Sequence, residues 1–373
     1  MRILLAGGGT AGHINPAIAI ANTVREHDKN AEIAFIGTKN GLENDLVPKA
    51  GYPIYHIEMS GLQRRFSFRN VKTAYLYFTA PLKAKKLIKK FRPDVVFGTG
   101  GYLSWPLLKA ASDLGIPCAV HESNAIPGKA VKMLAGRVNK IYLAFPSTAD
   151  FFSDKSKISV VGNPLIQSTV AERSEMLERK LGVPEGTEHT VLSFGGSLGS
   201  EKLNGAVLCV AKSFSDEGKN VFFVHSAGRK KIEDAQKEAT RLGLDKAKNI
   251  MLAPYIYNMS EWEACADIVI CRAGAMTLSE LALYGKAAII VPSPYVAENH
   301  QYENAKRLAD AEAAILIEEK DLTKDSLSNA ISQLISDPAR RRKLCENIRK
   351  FAYPDAKERI FRDLSKFASE YRK

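Results

Sequence analysis

Two stretches, far apart in the chain, hold the residue types that chemistry needs. The first is Gly7-Gly8-Gly9-Thr10-Ala11-Gly12-His13, which follows the apolar run Arg2–Ala6. The second, 267–305, carries Arg272, Thr277 and Glu280 after one apolar run and Glu298, Asn299, His300, Gln301 and Asn304 after the next. Glycines let a substrate come close to the backbone. A helix opening on such a loop offers unpaired N–H groups and a partial positive charge, which suit a phosphate. His13 stands where loop meets helix, and the helix dipole there lowers its pKa, as a neutral general base near pH 7 requires. Glu280, one turn into its helix, is placed to accept two hydroxyls of a ribose. The plainer alternatives are that His13 only starts a helix and that Thr277 and Glu280 form a capping box.

These groups need strands to position them. Arg2–Ala6, Glu32–Ile36, Pro93–Gly98, Pro117–Val120 and Ile158–Val161 read as strands of a first half. Thr190–Phe194, Val221–His225, Ile250–Ala253, Ile268–Cys271 and Ala288–Val291 read as strands of a second. Between them lie helical periods: one opening at Asn15 as N-cap and Pro16 as first residue, others near Leu203–Ala211 and Thr277–Tyr284. Such alternation is the unit of a parallel α/β sheet, whose ligands bind beyond the carboxyl ends of the strands. Polar residues collect at those ends, at Thr99-Gly100-Gly101-Tyr102 and His121-Glu122-Ser123-Asn124. The predicted fold is α/β, two Rossmann-like, doubly wound parallel-sheet domains facing each other across a cleft. The first is residues 1–163 and the second 164–373, with Gly162-Asn163-Pro164 as the hinge. The tail reads as three helical segments, restarting at Asp337-Pro338 and Tyr353-Pro354. A stripe of Ile360, Phe361, Leu364, Phe367 and Ala368 predicts that the last helix, about 354–370, packs back on the first domain.

Gly7, Gly9 and Gly12 satisfy the dinucleotide pattern G-x-G-x-x-G. That pattern also expects an acid at the end of the second strand, where this chain has Gly37-Thr38-Lys39-Asn40. The loop is built for a phosphate, not for NAD.

Composition bounds the rest. With 373 residues, 45% of them hydrophobic and 25% charged, the chain is long enough for two globular domains and is not of a disordered class. No run approaches the roughly 20 apolar residues of a membrane span, and Met1–Ala6 is too short for a signal-peptide core, so a cytoplasmic location is expected. Five scattered cysteines, 118, 209, 265, 271 and 345, form no C-x-x-C pair and predict neither a disulfide frame nor a zinc site. The net charge of +12 is uneven: residues 59–92 hold ten Lys or Arg and no Asp or Glu. Interleaved Phe66, Phe68, Tyr75, Leu76, Tyr77, Phe78, Leu82, Leu87 and Ile88 suit an anionic membrane surface or, alternatively, an ordinary basic helix with its apolar side on the core. Nucleic acid is a distant reading, because no recognition motif accompanies the tract.

Taken together, GGGTAGHINPAIAIA (7–21), GTGGYLSWP (98–106), HESNAIPG (121–128), VGNP (161–164), GGSLGS (195–200) and the run from Arg272 to Ala305 resemble the MurG family of bacterial N-acetylglucosaminyltransferases. They occur in order along nearly the whole chain. The resemblance implies a GT-B fold, with UDP-N-acetylglucosamine on the C-terminal domain. It also implies lipid I, undecaprenyl-diphosphate-linked N-acetylmuramoyl-pentapeptide, as the acceptor on the N-terminal one. It implies that Thr10, Gly12, His13, Gly100, Gly101, Tyr102, Glu122 and Asn124 face the acceptor and reaction centre. Ser197, Ile256, Arg272, Ala275, Met276, Thr277, Glu280, His300, Gln301 and Asn304 would hold the donor. His13, or else Glu122, would be the base. The expected setting is the cytoplasmic face of the membrane, peripheral, with tract 59–92 on the anionic surface and a cell-wall synthesis complex as a further partner. No D-x-D spacing for a sugar-nucleotide metal occurs, so neither a metal nor another cofactor is expected. The rival readings are a UDP-N-acetylglucosamine 2-epimerase and a non-enzymatic membrane-surface scaffold.

Overall fold

A computed structural model describes every residue except 62–67, 168, 169, 197, 372 and 373, and not the side chains of 68–70 and 72. The chain divides into two compact units, Met1–Ser168 with Tyr353–Lys373, and Thr169–Ala352. The first holds strands β1 (Arg2–Ala6), β2 (Glu32–Gly37), β3 (Ile54–His56), β4 (Val95–Gly98), β5 (Cys118–Glu122), β6 (Lys140–Leu143) and β7 (Ile158–Val160). They form one parallel sheet in the order β3-β2-β1-β4-β5-β6-β7. The second unit holds β8 (His189–Phe194), β9 (Val221–Ser226), β10 (Ile250–Ala253), β11 (Ile268–Cys271), β12 (Ala287–Ile290) and β13 (Ile315–Leu316). These are parallel too, ordered β10-β9-β8-β11-β12-β13.

The two-residue alternation of a strand explains the layers. In β1, Ile3 and Leu5 join a core with Ile14, Ile18 and Val24 of the helix Ala11–His27. Leu4 and Ala6 join the opposite core, with Leu76 and Ala80 of the helix Phe68–Phe91 and Leu103 and Leu107 of the helix Gly101–Asp113. Helices on both faces leave the strands no polar side, which is why these runs are continuously apolar. In the second unit, Val191, Ile268 and Ile270 pack with Leu203, Val207 and Phe214 of the helix Glu201–Asp216.

The last helix, Ala356–Tyr371, belongs to the first unit. Its Ile360, Leu364 and Ala368, spaced one turn apart, enter the core that contains Ile3 and Phe97. Burial of the Ile and Leu contributes about 1.5–3 kcal/mol each. His27 stacks on Phe361 with ring centroids 4.4 Å apart, and the Tyr142 hydroxyl donates to Asp363 at 3.0 Å.

Two expected helix starts are corrected. The first helix begins at Ala11 with Thr10 as N-cap, so Asn15 and Pro16 lie inside it. Pro16 has no N–H to give the Gly12 carbonyl and costs the helix one bond in its second turn. The helix expected from Thr277 runs Ala275–Tyr284 with Gly274 as N-cap. Thr277 is thus its third residue, and Thr277 and Glu280 form no capping box.

Each sheet reverses its strand order once, between β1 and β4 and between β8 and β11. At such a point the following loops run to opposite faces and open a crevice at the carboxyl ends. The register sets Ala6 beside Gly98 in one sheet and Phe194 beside Cys271 in the other. Both glycine-rich loops therefore leave the sheet at its switch point.

Candidate active site

In the first unit the loop after β1 carries the histidine onto the loop after β4. His13 Nδ1 lies 2.9 Å from the Thr99 carbonyl oxygen. A carbonyl only accepts, so Nδ1 holds the proton and Nε2 keeps a lone pair. Burial lowers the pKa of the ring below the ordinary histidine value, the Thr99 hydrogen bond opposing it in part. Thr99 also donates through Oγ1 to the His13 carbonyl at 2.5 Å, so the two loops are stitched twice.

Gly100 and Gly101 make room for this ring. Both are left-handed, at φ +85° and +71°, and a Cβ on Gly100 would stand 3.2 Å from His13 Nδ1 and Cε1. On Gly101 it would stand 2.9 Å from the Gly8 oxygen and 3.1 Å from His13 Cδ2. A side chain at either position strains the backbone and pushes the imidazole off Thr99.

Thr10 is exposed and Gly12 half-exposed beside the histidine. Tyr102 covers Gly9, and burial raises its phenol pKa against a hydrogen bond to Thr38. Glu122 is buried, with Oε1 accepting from Asn124 N at 2.9 Å and Asn124 Nδ2 at 3.1 Å and Oε2 from Gly128 N at 2.8 Å. These contacts make it the brace of the 122–128 loop. His121 is buried too; its Nε2 faces the Gly162 carbonyl at 2.9 Å, and burial pulls its pKa down to about 4.

One residue of this site had no place in the sequence reading. Glu43, fully buried, accepts from Thr38 N (2.9 Å) and Thr38 Oγ1 (2.8 Å) on one oxygen and from Gly9 N (3.2 Å) on the other. The acid missing from the end of β2 is supplied by the first residue of the next helix, Glu43–Lys49, which folds back under the glycine loop. Its only local signal is an acid in a helix's first turn.

In the second unit a cavity of about 900 Å³ opens at the β8/β11 switch point. It gathers Arg272, Thr277 and Gln301 with Gly195, Gly196, Gly199 and Ser200. Ser200 caps the 16-residue helix Glu201–Asp216 by accepting from Leu203 N, and that helix aims its positive end into the cavity. Ala275 and Met276 form the first turn of the neighbouring helix, and Glu280 lies one turn beyond Thr277. Burial raises the Glu280 carboxyl pKa to about 7. Gln301 accepts from Ser293 N at 2.8 Å, and His300 Nδ1 lies 2.8 Å from the Ala297 carbonyl. Glu298 and Asn299, which lead into that helix, hold left-handed φ of +52° and +53°. Asn304 is fully buried and donates to the Ala273 carbonyl at 3.3 Å, tying the helix His300–Asp310 to the loop after β11. Ile256 is buried between the more exposed Tyr255 and Tyr257. Ser197 lies outside the described residues. Sequence reasoning also missed Glu319, an ion-pair partner of Arg272; the two are 47 positions apart with no shared motif. Among the described residues no group of three or more His, Cys, Asp or Glu is placed to hold a metal.

The basic tract resolves into two faces of the helix Phe68–Phe91. Leu76, Ala80, Ala84 and Ile88 enter the core, while Val71, Tyr75, Phe78 and Leu82 are 59–81% exposed. Their spacing of four, three and four puts the exposed four in one stripe. Lys86, Lys89 and Lys90 are exposed on the same helix. Phe66 lies outside the described residues, as does the Phe68 side chain. Among the described residues no helix is long and apolar enough to cross a membrane.

Residues 3–143 match the glycosyltransferase family 28 N-terminal domain and residues 190–360 its C-terminal domain. The chain is 39% identical over 362 residues to the UDP-N-acetylglucosamine--N-acetylmuramyl-(pentapeptide) pyrophosphoryl-undecaprenol N-acetylglucosamine transferase of Thermoanaerobacter sp. (strain X514), covering 97% of this chain and 98% of that one. It is 39% identical over 368 residues to the protein of the same name from Caldicellulosiruptor saccharolyticus, covering 98% of each. Among solved structures it is similar to MurG of Acinetobacter baumannii, with a TM-score of 0.77 and 28% identity over 98% of this chain and 99% of that one. UDP-GlcNAc 2-epimerases, such as that of Neisseria meningitidis at 14% identity and a TM-score of 0.69, share the fold alone. The two doubly wound parallel sheets are thus those of a GT-B enzyme, and the chain belongs to the MurG family of N-acetylglucosaminyltransferases.

Proposed function

We propose that this chain moves GlcNAc, with inversion, from UDP-GlcNAc to the C4 hydroxyl of undecaprenyl-diphospho-MurNAc-pentapeptide, converting lipid I to lipid II, with His13 as the base. The observation that carries the role is the His13–Thr99 hydrogen bond, which leaves Nε2 unprotonated. The acceptor oxygen bonds to the anomeric carbon as its proton passes to Nε2, and UDP leaves with the electron pair of the broken glycosidic bond. Gly100 and Gly101 hold the imidazole in place, and Glu122 acts by shaping the 122–128 loop.

The donor belongs in the 900 Å³ cavity of the second unit. Its diphosphate suits the Gly195–Ser200 loop and the N-terminus of the helix Glu201–Asp216, which stabilise charge developing on the leaving group. Glu280 accepts from the ribose hydroxyls. With this anion site built from backbone N–H groups beside the cations Lys202 and Arg272, and no D-x-D in the chain, turnover is expected to persist in EDTA. The test is UDP release from UDP-GlcNAc in EDTA with and without a lipid I analogue. Acceptor-dependent release with a disaccharide product supports the reading. Acceptor-independent release giving the 2-epimer points to the epimerase, and loss of activity rescued by Mn²⁺ refutes the metal-free mechanism.

The exposed stripe Val71, Tyr75, Phe78 and Leu82, with lysines alongside, suits the surface of an anionic bilayer where a lipid-linked acceptor resides. Each aromatic or aliphatic group inserted is worth about 1.5–3 kcal/mol. The double substitution Phe78→Ser with Leu82→Ser is therefore expected to weaken binding to phosphatidylglycerol vesicles by more than about tenfold. Turnover of a soluble acceptor analogue should be unchanged. Equal vesicle binding by the two proteins would remove this face from the membrane.

A further inference from the structure

Arg272 and Glu319 form an ion pair whose side chains are only 10% and 11% exposed. Both line the cavity that holds the Gly195–Ser200 loop. The guanidinium also donates to the carbonyls of Val291 at 3.1 Å and Pro292 at 3.2 Å and to Ser200 Oγ. Lys202, the other cation among the described lining residues, donates to the main-chain carbonyl of Glu319 and to that of Lys320 at 3.4 Å. One short turn, Glu319–Asp321, thus occupies both cations of an anion pocket.

We propose that Glu319 is an internal competitor for the donor's diphosphate, neutralising Arg272 while the pocket is empty and yielding it when nucleotide enters. The proposal rests on the reading of this cavity as the donor site. Glu319 meets the guanidinium through Nη2 alone, while Nη1 is held by the Val291 and Pro292 carbonyls, so a phosphate that takes Nη2 competes with the carboxylate for it. A buried guanidinium stripped of its counter-charge is costly, and an incoming diphosphate relieves that cost. Binding therefore works against the difference between the two partners, not the full attraction of Arg272. After transfer the carboxylate reclaims Arg272 and lowers the hold on UDP, at product release, a step that limits many enzymes.

The experiment is calorimetric titration of UDP into the full chain and its Glu319→Gln and Glu319→Asp variants. Glu319→Gln is expected to bind UDP at least about tenfold tighter, about 1.4 kcal/mol, with a lower Tm without ligand and a larger Tm rise with it. Unchanged or weaker UDP binding by folded Glu319→Gln overturns the proposal while leaving the donor pocket in place. Failure of the unsubstituted chain to bind UDP removes the pocket reading, and the proposal with it. If Glu319→Gln does not fold, Glu319→Asp decides, because its shorter arm keeps the charge but draws it back from Arg272 Nη2. Tighter UDP binding than the unsubstituted chain upholds competition, and equal or weaker binding overturns it.

Discussion

Replacing His13 with alanine is expected to lower kcat by about 10²–10⁴-fold, the usual contribution of a positioned general base. UDP-GlcNAc affinity should stay within about twofold, since the histidine belongs to the first unit and is not among the residues that line the second unit's cavity. The pH profile adds a readout that a merely structural role would not move. Only neutral imidazole accepts the proton, and burial holds the His13 pKa below 6.5. With donor saturating, kcat of the unsubstituted chain should then be flat near pH 7 and fall only on the acid side of 6.5, and in the variant that limb should vanish with the rate. A variant that keeps kcat and loses UDP affinity would take the base assignment away from His13.

UDP-GlcNAc affinity should rise about tenfold between pH 6 and pH 8, with net proton release. A ribose hydroxyl donates to a carboxylate, and burial sets the free Glu280 pKa at about 7. About one-eleventh of the group is ionised at pH 6 and about ten-elevenths at pH 8, and linkage carries that ratio into the binding constant. The donor's own diphosphate is a diester and keeps its charge over this range. Glu280→Gln should flatten the dependence and weaken binding at pH 8 by about ten- to a hundredfold, the worth of hydrogen bonds to a charged acceptor. A second carboxyl titrates nearby: Glu263 is pushed up to about 8 by burial first and Glu280 second, against Lys286. Glu263→Gln separates the two, because the steep region should stay near pH 7 if Glu280 is the ribose partner. The same shift acts on folding with its own sign. A carboxyl whose folded pKa is raised from 4.5 to about 7 contributes stability in full below 4.5 and loses it as pH rises through 7. Ligand-free protein should lose stability between about pH 4.5 and pH 7, and so be least stable in the range where it binds the donor best.

The alternation of strands and helices, the apolar character of β1, β4, β8 and β11, and the stripe of the last helix were legible in the chain. They rest on periods of two and 3.6 residues, which a few neighbouring side chains express. Strands β3, β6 and β13, of three, four and two residues, were not; so few residues seldom carry enough pattern to stand out from a loop. The first helix was misread at Asn15 and Pro16, where a favoured N-cap pair lies inside a helix already begun by the glycine loop. The interleaved aromatics of 59–92 gave a membrane reading and a core reading; the helix Phe68–Phe91 places Leu76, Ala80, Ala84 and Ile88 in the core and leaves Val71, Tyr75, Phe78 and Leu82 exposed.

The sequence by itself determined which groups exist to do chemistry: a histidine behind glycines, a glutamate one turn into a helix, and two phosphate-suited loops. Tertiary structure alone decided which atoms they meet. His13 finds Thr99 across 86 positions, Arg272 finds Glu319 across 47, and Tyr142 finds Asp363 across 221. Local propensity acts over a few residues, whereas those partners come together only because the sheet places β1 beside β4 and β11 within two strands of β13. The protonated nitrogen of His13 and the engaged state of Arg272 follow from those adjacencies, and no spacing in the chain encodes them.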